Sequence, residues 1–487
     1  MARIVLPRRS PFPRPPEAKY HSTRRARPPP PGATTVTDPT ERNGTLPLAD
    51  LYELTMLQAF FAEGMRDTAV FDLFVRRLPP TRNFLVACGL DAALERLERL
   101  AFAETAIADL DGLKLFSAPF LEWLARFRFT GDVDAMPEGR IAFAGEPLLQ
   151  VVAPIGEAQL AETFLLNRIQ LETMAASKAA RVVSAAGGRP VVDFGLRRMH
   201  GADAALHATR AFWIAGVAAT SNVAAAARWG IPASGTMAHS YVQAHDDELV
   251  AFRAFTREFP EATLLVDTYD TLEGVRNVAR LARELGPAFR VRAIRLDSGD
   301  LAALARAARA LLDEAGLNDV RIVASSSLDE WAVADLVTAG APIDGFGVGT
   351  RMGVSADAPS LDVVYKLAAY GGRGRVKLSP GKATWPDRKQ VFRLETGGVP
   401  ERDVVARWDE ALPGRPLLVP VMRGGERLPA GRATIADARE RAREEVAALP
   451  ARLRALATAD PPYRVEPSAA LEAERARLRA QRAGAGT

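Results

Sequence analysis

Between Pro190 and Thr350 the chain repeats one pattern: a short apolar run, a polar residue or glycine at its end, then a stretch with helical spacing. RPVVDFG leads into a helix carrying Ala204, Leu206 and Ala208. ATLLVDTYDT precedes the helix 275–285, VRAIRLDSGD precedes 301–315, VRIVASSSLDE precedes 331–339, and IDGFGVGT closes the series. Strands that alternate with helices run parallel, because each crossover returns the chain to the same end of the sheet. This rhythm fits a β/α barrel or a doubly wound open sheet. The strand ends favour the barrel. Asp193, Asp267, Asp297, Ser325 and Gly347 end five different strands. A barrel gathers its site from many strand ends, whereas an open sheet concentrates it at one switch point. Polar residues close many strands for ordinary reasons, but those reasons do not explain the arginine and tight glycines in the same runs.

The flanking segments have a different texture. LPLADLYELTMLQAFFAEG places Leu51, Leu54, Met56, Leu57, Phe60 and Phe61 at helical spacing, with Gly64 as the stop. AVFDLFVR alternates like a strand, and helices extend to about Phe127. EGRIAFAGEPLLQVVAP reads as short strands, and 157–183 as a long helix. After Val364 come the basic, glycine-rich GGRGRVKLSPGKATWPDRKQVFR and short strands to about Pro420. Arg/Glu/Ala-rich helices begin at Ile435 and break at Pro461 and Pro462. Their alternating charges predict a solvated face. The expected organisation is an N-terminal α/β domain over 46–185 and the barrel over 186–366. Strands returning to the N-terminal domain follow over 367–434, and a charged helical segment over 435–487.

Residues 1–45 hold ten of the 34 prolines and nine Arg/Lys against three Asp/Glu, so the net charge of +4 comes from this stretch and the remainder carries −2. A nucleic-acid partner inferred from overall charge would therefore be misplaced. The stretch lacks apolar periodicity and is expected to be a disordered, nonessential extension rather than a polyanion-binding arm. No run approaches about twenty apolar residues, so no membrane partner is expected. The start shows no secretory pattern, and Cys88 is the one cysteine. Both point to a reducing, cytoplasmic setting.

Several devices are absent: the GxxxxGK[ST] loop, a GxGxxG opening a first βαβ unit, the GxSxG elbow and any zinc-ligand spacing. What remains suits a sugar phosphate. The glycines of GFGVGT (345–350) let backbone N–H groups approach an anion, and Thr350 adds a hydroxyl; a tight strand-to-helix turn would look the same. RLDSGD (295–300) puts a cation and two carboxylates on one strand end, able to meet anions and sugar hydroxyls. His239 in GTMAHSY is read either as a hydrogen-bonded, partly buried histidine or as a nucleophile or proton carrier.

Taken together, these motifs resemble the nicotinate phosphoribosyltransferases. The matching stretches are DLYELTM (50–56), FDLFVRRLP (71–79), DFGLRR (193–198), TSN (220–222), GTMAHS (235–240), DTYDT (267–271), RLDSGD, GFGVGT and KLSPGKATWPDRKQVFR (377–393). They run in order from about Leu46 to Pro420. The resemblance implies a type II phosphoribosyltransferase fold: an irregular α/β barrel plus an α/β domain assembled from N- and C-terminal segments. It also implies a homodimer whose sites are completed by the partner subunit. The implied reaction joins nicotinate to phosphoribosyl pyrophosphate, releasing nicotinate mononucleotide and pyrophosphate. ATP is a co-substrate whose hydrolysis is coupled through phosphorylated His239, and Mg²⁺ travels with the pyrophosphate.

By the same resemblance, Asp297 binds ribose hydroxyls, and Gly347, Gly349 and Thr350 hold phosphate. Phe194 and Tyr52 sandwich the pyridine, with Tyr52 supplied by the other subunit. Arg295 and Thr236 bind nicotinate. Arg197 and the basic 377–382 stretch neutralise phosphates. Ser221 stands where nicotinamide-using relatives carry Asp, whose charge would repel a carboxylate, so Ser221 favours the acid over the amide. Ser325, Ser326 and Ser327 depart from the Asn, Asp or Gly that relatives carry. The competing readings are nicotinamide or quinolinate phosphoribosyltransferase activity and a non-catalytic sensor of the base or nucleotide.

Overall fold

The computed structural model describes residues 48–379, 381 and 384–484. The Arg/Pro-rich stretch 1–45 and Lys382 lie outside them. Residues from both ends of the chain share one seven-stranded sheet. Its strand Thr68–Val75 pairs antiparallel with Pro147–Pro154 on one side and Val363–Tyr370 on the other. Asp132–Ala135 extends it towards Val419–Arg423. Helix α1 (Leu51–Ala62) packs on the helix Ile155–Leu160 beside this sheet. Helix α2 (Glu162–Ala185) then runs from this core into the next. Its buried Ala175, Ala176, Ala179 and Ala180 let the second layer approach closely.

The second core surrounds six parallel strands: β1 (Val191–Asp193), β2 (Ala219–Thr220), β3 (Thr263–Leu265), β4 (Ala293–Leu296), β5 (Arg321–Ala324) and β6 (Gly345–Val348). Their order in the sheet is β2-β1-β6-β5-β4-β3. The first and last of the series are therefore neighbours, with Val348 opposite Asp193. This is the strand order of a curled, incomplete barrel. β2 and β3, consecutive in the chain, are unpaired, so the barrel is closed on one side and open on the other. The opening has a local cause: β2 stops after two residues because Asn222 turns its side chain to accept from Ala225 N–H and starts a helix. The segment 221–262 that follows carries Thr236 and His239, so the gap in the barrel is where part of the site enters.

Several short strands escape a reading by periodicity, among them Asp132–Ala135, Ala219–Thr220 and Arg464–Pro467. The last pairs parallel with Val399–Arg407 in a separate four-stranded sheet. The C-terminal helix Ile435–Ala448 also corrects an expectation, since its charges are not simply solvated. Glu445 accepts from Arg140 at 2.7 Å, Arg415 at 2.9 Å and the Ile141 N–H at 2.9 Å. Arg439 lies 3.8 Å over the Trp213 ring. No helix of the described residues is long and apolar enough to cross a membrane.

Candidate active site

Asp193 ends β1 but turns inward. It is fully buried; Oδ1 accepts from Gly195 N–H at 2.8 Å, and Oδ2 from the Thr209 and Thr220 hydroxyls at 3.1 and 2.8 Å. Burial raises its pKa, and the three donors oppose that shift. The carboxylate thus folds the Asp-Phe-Gly turn rather than meeting a ligand. That turn lays Phe194 across the tip of β6, where the Phe194 N–H bonds the Val348 carbonyl at 2.9 Å. A Cβ on Gly347 would stand 2.4 Å from the Phe194 ring. Gly347 is glycine because the ring occupies its side-chain space. Gly349 lies against the Phe194 backbone, with a built Cβ 3.2 Å from the carbonyl oxygen.

Arg295 on β4 stands beside that ring, its guanidinium carbon 5.9 Å from the centroid. Nη1 donates to the Thr236 hydroxyl at 2.5 Å, and Nη2 lies 3.7 Å from Asp297 Oδ2. Burial lowers its pKa while Asp297 and Asp267 pull the other way; a guanidinium keeps its charge at neutral pH regardless. Asp297, just past β4, accepts from the Ser325 hydroxyl through Oδ1 at 2.5 Å. Its Oδ2 is 3.6 Å from His239 Nε2. Asp267, past β3, accepts from Asp297 N–H at 2.8 Å and the Ser298 hydroxyl at 2.7 Å. His239 opens the short helix α3 (His239–Gln243), with Nδ1 3.2 Å from Thr268 Oγ1 and a side chain 40% exposed.

Phe194, Thr236, His239, Arg295, Asp297 and Gly347 therefore form one contact chain at the carboxyl end of the barrel. Gly349 and Thr350 continue it at the tip of β6, where Thr350 is exposed. Arg197, exposed in the turn Leu196–Arg198, is near enough to Arg295 to act on it electrostatically. Ser221 is fixed at the end of β2 by its N–H bond to the Asp193 carbonyl at 2.9 Å. Tyr52 is not brought in. It sits 45% exposed on α1, and the charges acting on it are Glu162, Glu53 and Asp50. Lys377 is exposed, and its N–H bonds the Thr384 hydroxyl at 3.0 Å.

Sequence reasoning overlooked Thr268, the partner of His239, and gave Asp267 no role beyond ending a strand. The doubled acid in DTYDT was the available signal. Two buried atoms at this mouth, Arg295 Nε and Asp267 Oδ1, have no hydrogen-bond partner among the described residues. Buried polar atoms are almost always paired, so both are open to a partner from outside the chain, whether water, ligand or ion. The buried Cys88, Glu138 and Glu172 cluster offers a contrast. There Arg210 Nη1 donates to both carboxylates at 2.8 and 2.9 Å and His207 Nδ1 lies 3.0 Å from Glu172, so the carboxylates already have side-chain partners.

A family model described as the nicotinate phosphoribosyltransferase N-terminal domain matches residues 48–170, and one described as the nicotinate phosphoribosyltransferase family matches 190–370. A nicotinate phosphoribosyltransferase of Mycobacterium tuberculosis is 55% identical over 430 residues, covering 88% of this chain and 93% of that protein. The Bacillus subtilis enzyme of the same name is 42% identical over 371 residues, covering 74% of this chain and 76% of its own. Among solved structures, human nicotinic acid phosphoribosyltransferase superposes with a TM-score of 0.77 at 29% identity, covering 88% of this chain and 100% of that one. The chain belongs to the nicotinate phosphoribosyltransferase family.

Proposed function

We propose that the chain joins nicotinate to phosphoribosyl pyrophosphate, working as a homodimer and driven by ATP through His239. The observation that carries this reading is Arg295 beside the Phe194 ring, with Thr236 fixing its guanidinium and a buried Nε left without a partner. A flat ring bearing a carboxylate suits that arrangement: stacking on Phe194 aligns the pyridine nitrogen, and the guanidinium meets the acid. Ser221 puts no carboxylate at its own position to repel that acid.

The pyridine nitrogen attacks the ribose anomeric carbon as the bond to the pyrophosphate oxygen breaks and the electron pair leaves with pyrophosphate. Positive charge grows on the sugar ring in between. Asp297, close to both Arg295 and His239, is placed to hold the ribose hydroxyls and to favour that charge. Gly347, Gly349 and Thr350 form the phosphate-side turn, with Arg197 adding charge. Asp267 Oδ1, buried and unpartnered, is a hard oxygen donor suited to Mg²⁺ arriving with the pyrophosphate, which would offset the negative charge of the leaving group. His239 attacks the terminal phosphate of ATP and releases ADP; water later returns the phosphate as inorganic phosphate.

The test mixes the protein with phosphoribosyl pyrophosphate and either nicotinate or nicotinamide, with and without ATP. Nicotinate mononucleotide is expected, with ATP enhancing its yield. His239→Ala is expected to keep a basal rate and lose the ATP enhancement. An unchanged ATP response in that variant removes His239 from the coupling. Preference for the amide would overturn the substrate, and binding without turnover would make the chain a sensor.

A further inference from the structure

The loop between β5 and the helix α4 (Glu330–Thr338) touches both ends of the sugar phosphate site. At its start Ser325 donates to Asp297, the ribose-side carboxylate. Four residues later, Asp329 accepts from Arg351 Nη1 at 2.6 Å. Arg351 follows Thr350 in the short helix α5 (Thr350–Gly353), on the phosphate side. Between these anchors Ser326 and Ser327 hold φ values of +89° and +30°, a region that side chains other than glycine enter at a cost. Such strain persists only where the surroundings impose it.

The surroundings are firm. Asp329 Oδ1 caps α4 by accepting from Ala332 N–H at 3.0 Å. Glu330 is fully buried and accepts from Lys178 and, at 3.0 Å, from Arg181 Nε. Lys178 also donates at 2.7 Å to Asp357, just beyond α5, and Arg82 holds the same Asp357 through two nitrogens. Both rims of the phosphate side are thus bolted to one buried ionic frame. Against that rigidity, the Asp329 side chain is 10% exposed while that of Arg351 is 53% exposed. The acid is sunk into the fold, and the base projects from it. With one nitrogen committed to Asp329, the fork of Arg351 retains donors for a phosphate.

We propose that Arg351 is a substrate-binding residue for the phosphate groups of phosphoribosyl pyrophosphate, and that Asp329 is the positioning residue that aims it. This rests on the function proposed above. Steady-state kinetics on the full chain, varying each substrate in turn, tests it. Arg351→Gln is expected to raise KM for phosphoribosyl pyrophosphate roughly ten- to a hundred-fold and to leave KM for nicotinate within about twofold. Arg351→Lys should recover part of the loss. Asp329→Asn keeps a side chain that caps helices as well as Asp does, so it removes the charge and spares α4; it should give a smaller rise in the same KM. The double variant Asp329→Asn/Arg351→Gln should be no worse than Arg351→Gln.

Unchanged KM for phosphoribosyl pyrophosphate in Arg351→Gln, or an equal rise for both substrates, would overturn the assignment. An additive double variant would overturn the positioning role of Asp329. Wild-type protein that makes no mononucleotide would instead sink the parent reading, and the two failures are told apart by that control alone.

Discussion

In Arg-Leu-Asp-Ser-Gly-Asp, two carboxylates three residues apart look interchangeable in the sequence, yet they do unrelated work. Asp297 faces Arg295 and His239, whereas Asp300 caps the helix Leu301–Glu314, accepting from Ala302 and Ala303 N–H at 3.1 and 3.0 Å. The same division separates Asp267 from Asp270, which caps Thr271–Leu285. Asn is as good a cap as Asp, so Asp300→Asn is expected to hold kcat/KM within about twofold. Asp297→Asn should lose on the order of a hundred-fold or more, as expected when a preorganised charge beside a developing cation is removed. Equal losses in the two would contradict the division. Gly347→Ala makes a different kind of test. Its methyl would meet the Phe194 ring at 2.4 Å and push it aside. Overpacking of about 1–3 kcal/mol would appear as roughly a ten- to a hundred-fold rise in KM for nicotinate, visible in saturation curves. The sequence revealed which residues gather at the mouth, because strand ends are fixed by pattern. It did not reveal which way each side chain turns, and Asp193, read as a strand-end ligand candidate, turned inward to its hydroxyl partners.

Among the elements, those with a full period of apolar residues were legible: α1, α2, the strand Thr68–Val75 and five barrel strands. β2, Asp132–Ala135 and Arg464–Pro467 were not, since Ala-Thr, Asp-Val-Asp-Ala and Arg-Val-Glu-Pro carry no apolar run like those of the other barrel strands, and their pairing is set by distant partners. Nor did sequence reveal the cost of seating α1. Glu53 is fully buried there, accepting through Oε1 from Thr163 N–H at 2.9 Å, while Oε2 has no partner among the described residues. Burial pushes its pKa up to about 7, against the pull of Thr163. Unfolded, the same acid titrates near 4.3. Folding therefore takes up a proton between those values, and stability falls as pH rises through that window, then levels off. Glu53→Gln keeps the shape without the charge. Its melting temperature should vary less from pH 5 to 8 and lie roughly 1–3 °C above wild type at pH 8. A parallel pH profile for both proteins would mean that Glu53 does not titrate in this range.

At the scale of the whole molecule, the chain's own fold leaves Tyr52 apart from the mouth that its resemblance assigns it to. Leu48, Leu51, Tyr52 and Met56 are exposed together at the start of the folded region, an apolar patch of the kind that meets another protein surface. In the proposed homodimer this patch covers the partner's barrel, and two-fold symmetry makes each site a product of both chains. That geometry has a consequence no single-chain site shares. Tyr52→Ala and Asp297→Asn should each be nearly inactive alone. When the two are unfolded together, or co-expressed, and allowed to reassemble at random, half the dimers are mixed. Each mixed dimer carries one site with neither change and one with both, so activity should recover to about a quarter of wild type. If Tyr52 served its own barrel, every site would keep one lesion and mixing would restore nothing. Leu51→Asp supplies the physical control. A charge in the patch should shift the protein towards monomer in sedimentation and lower activity in proportion, with dilution deepening the loss as mass action requires.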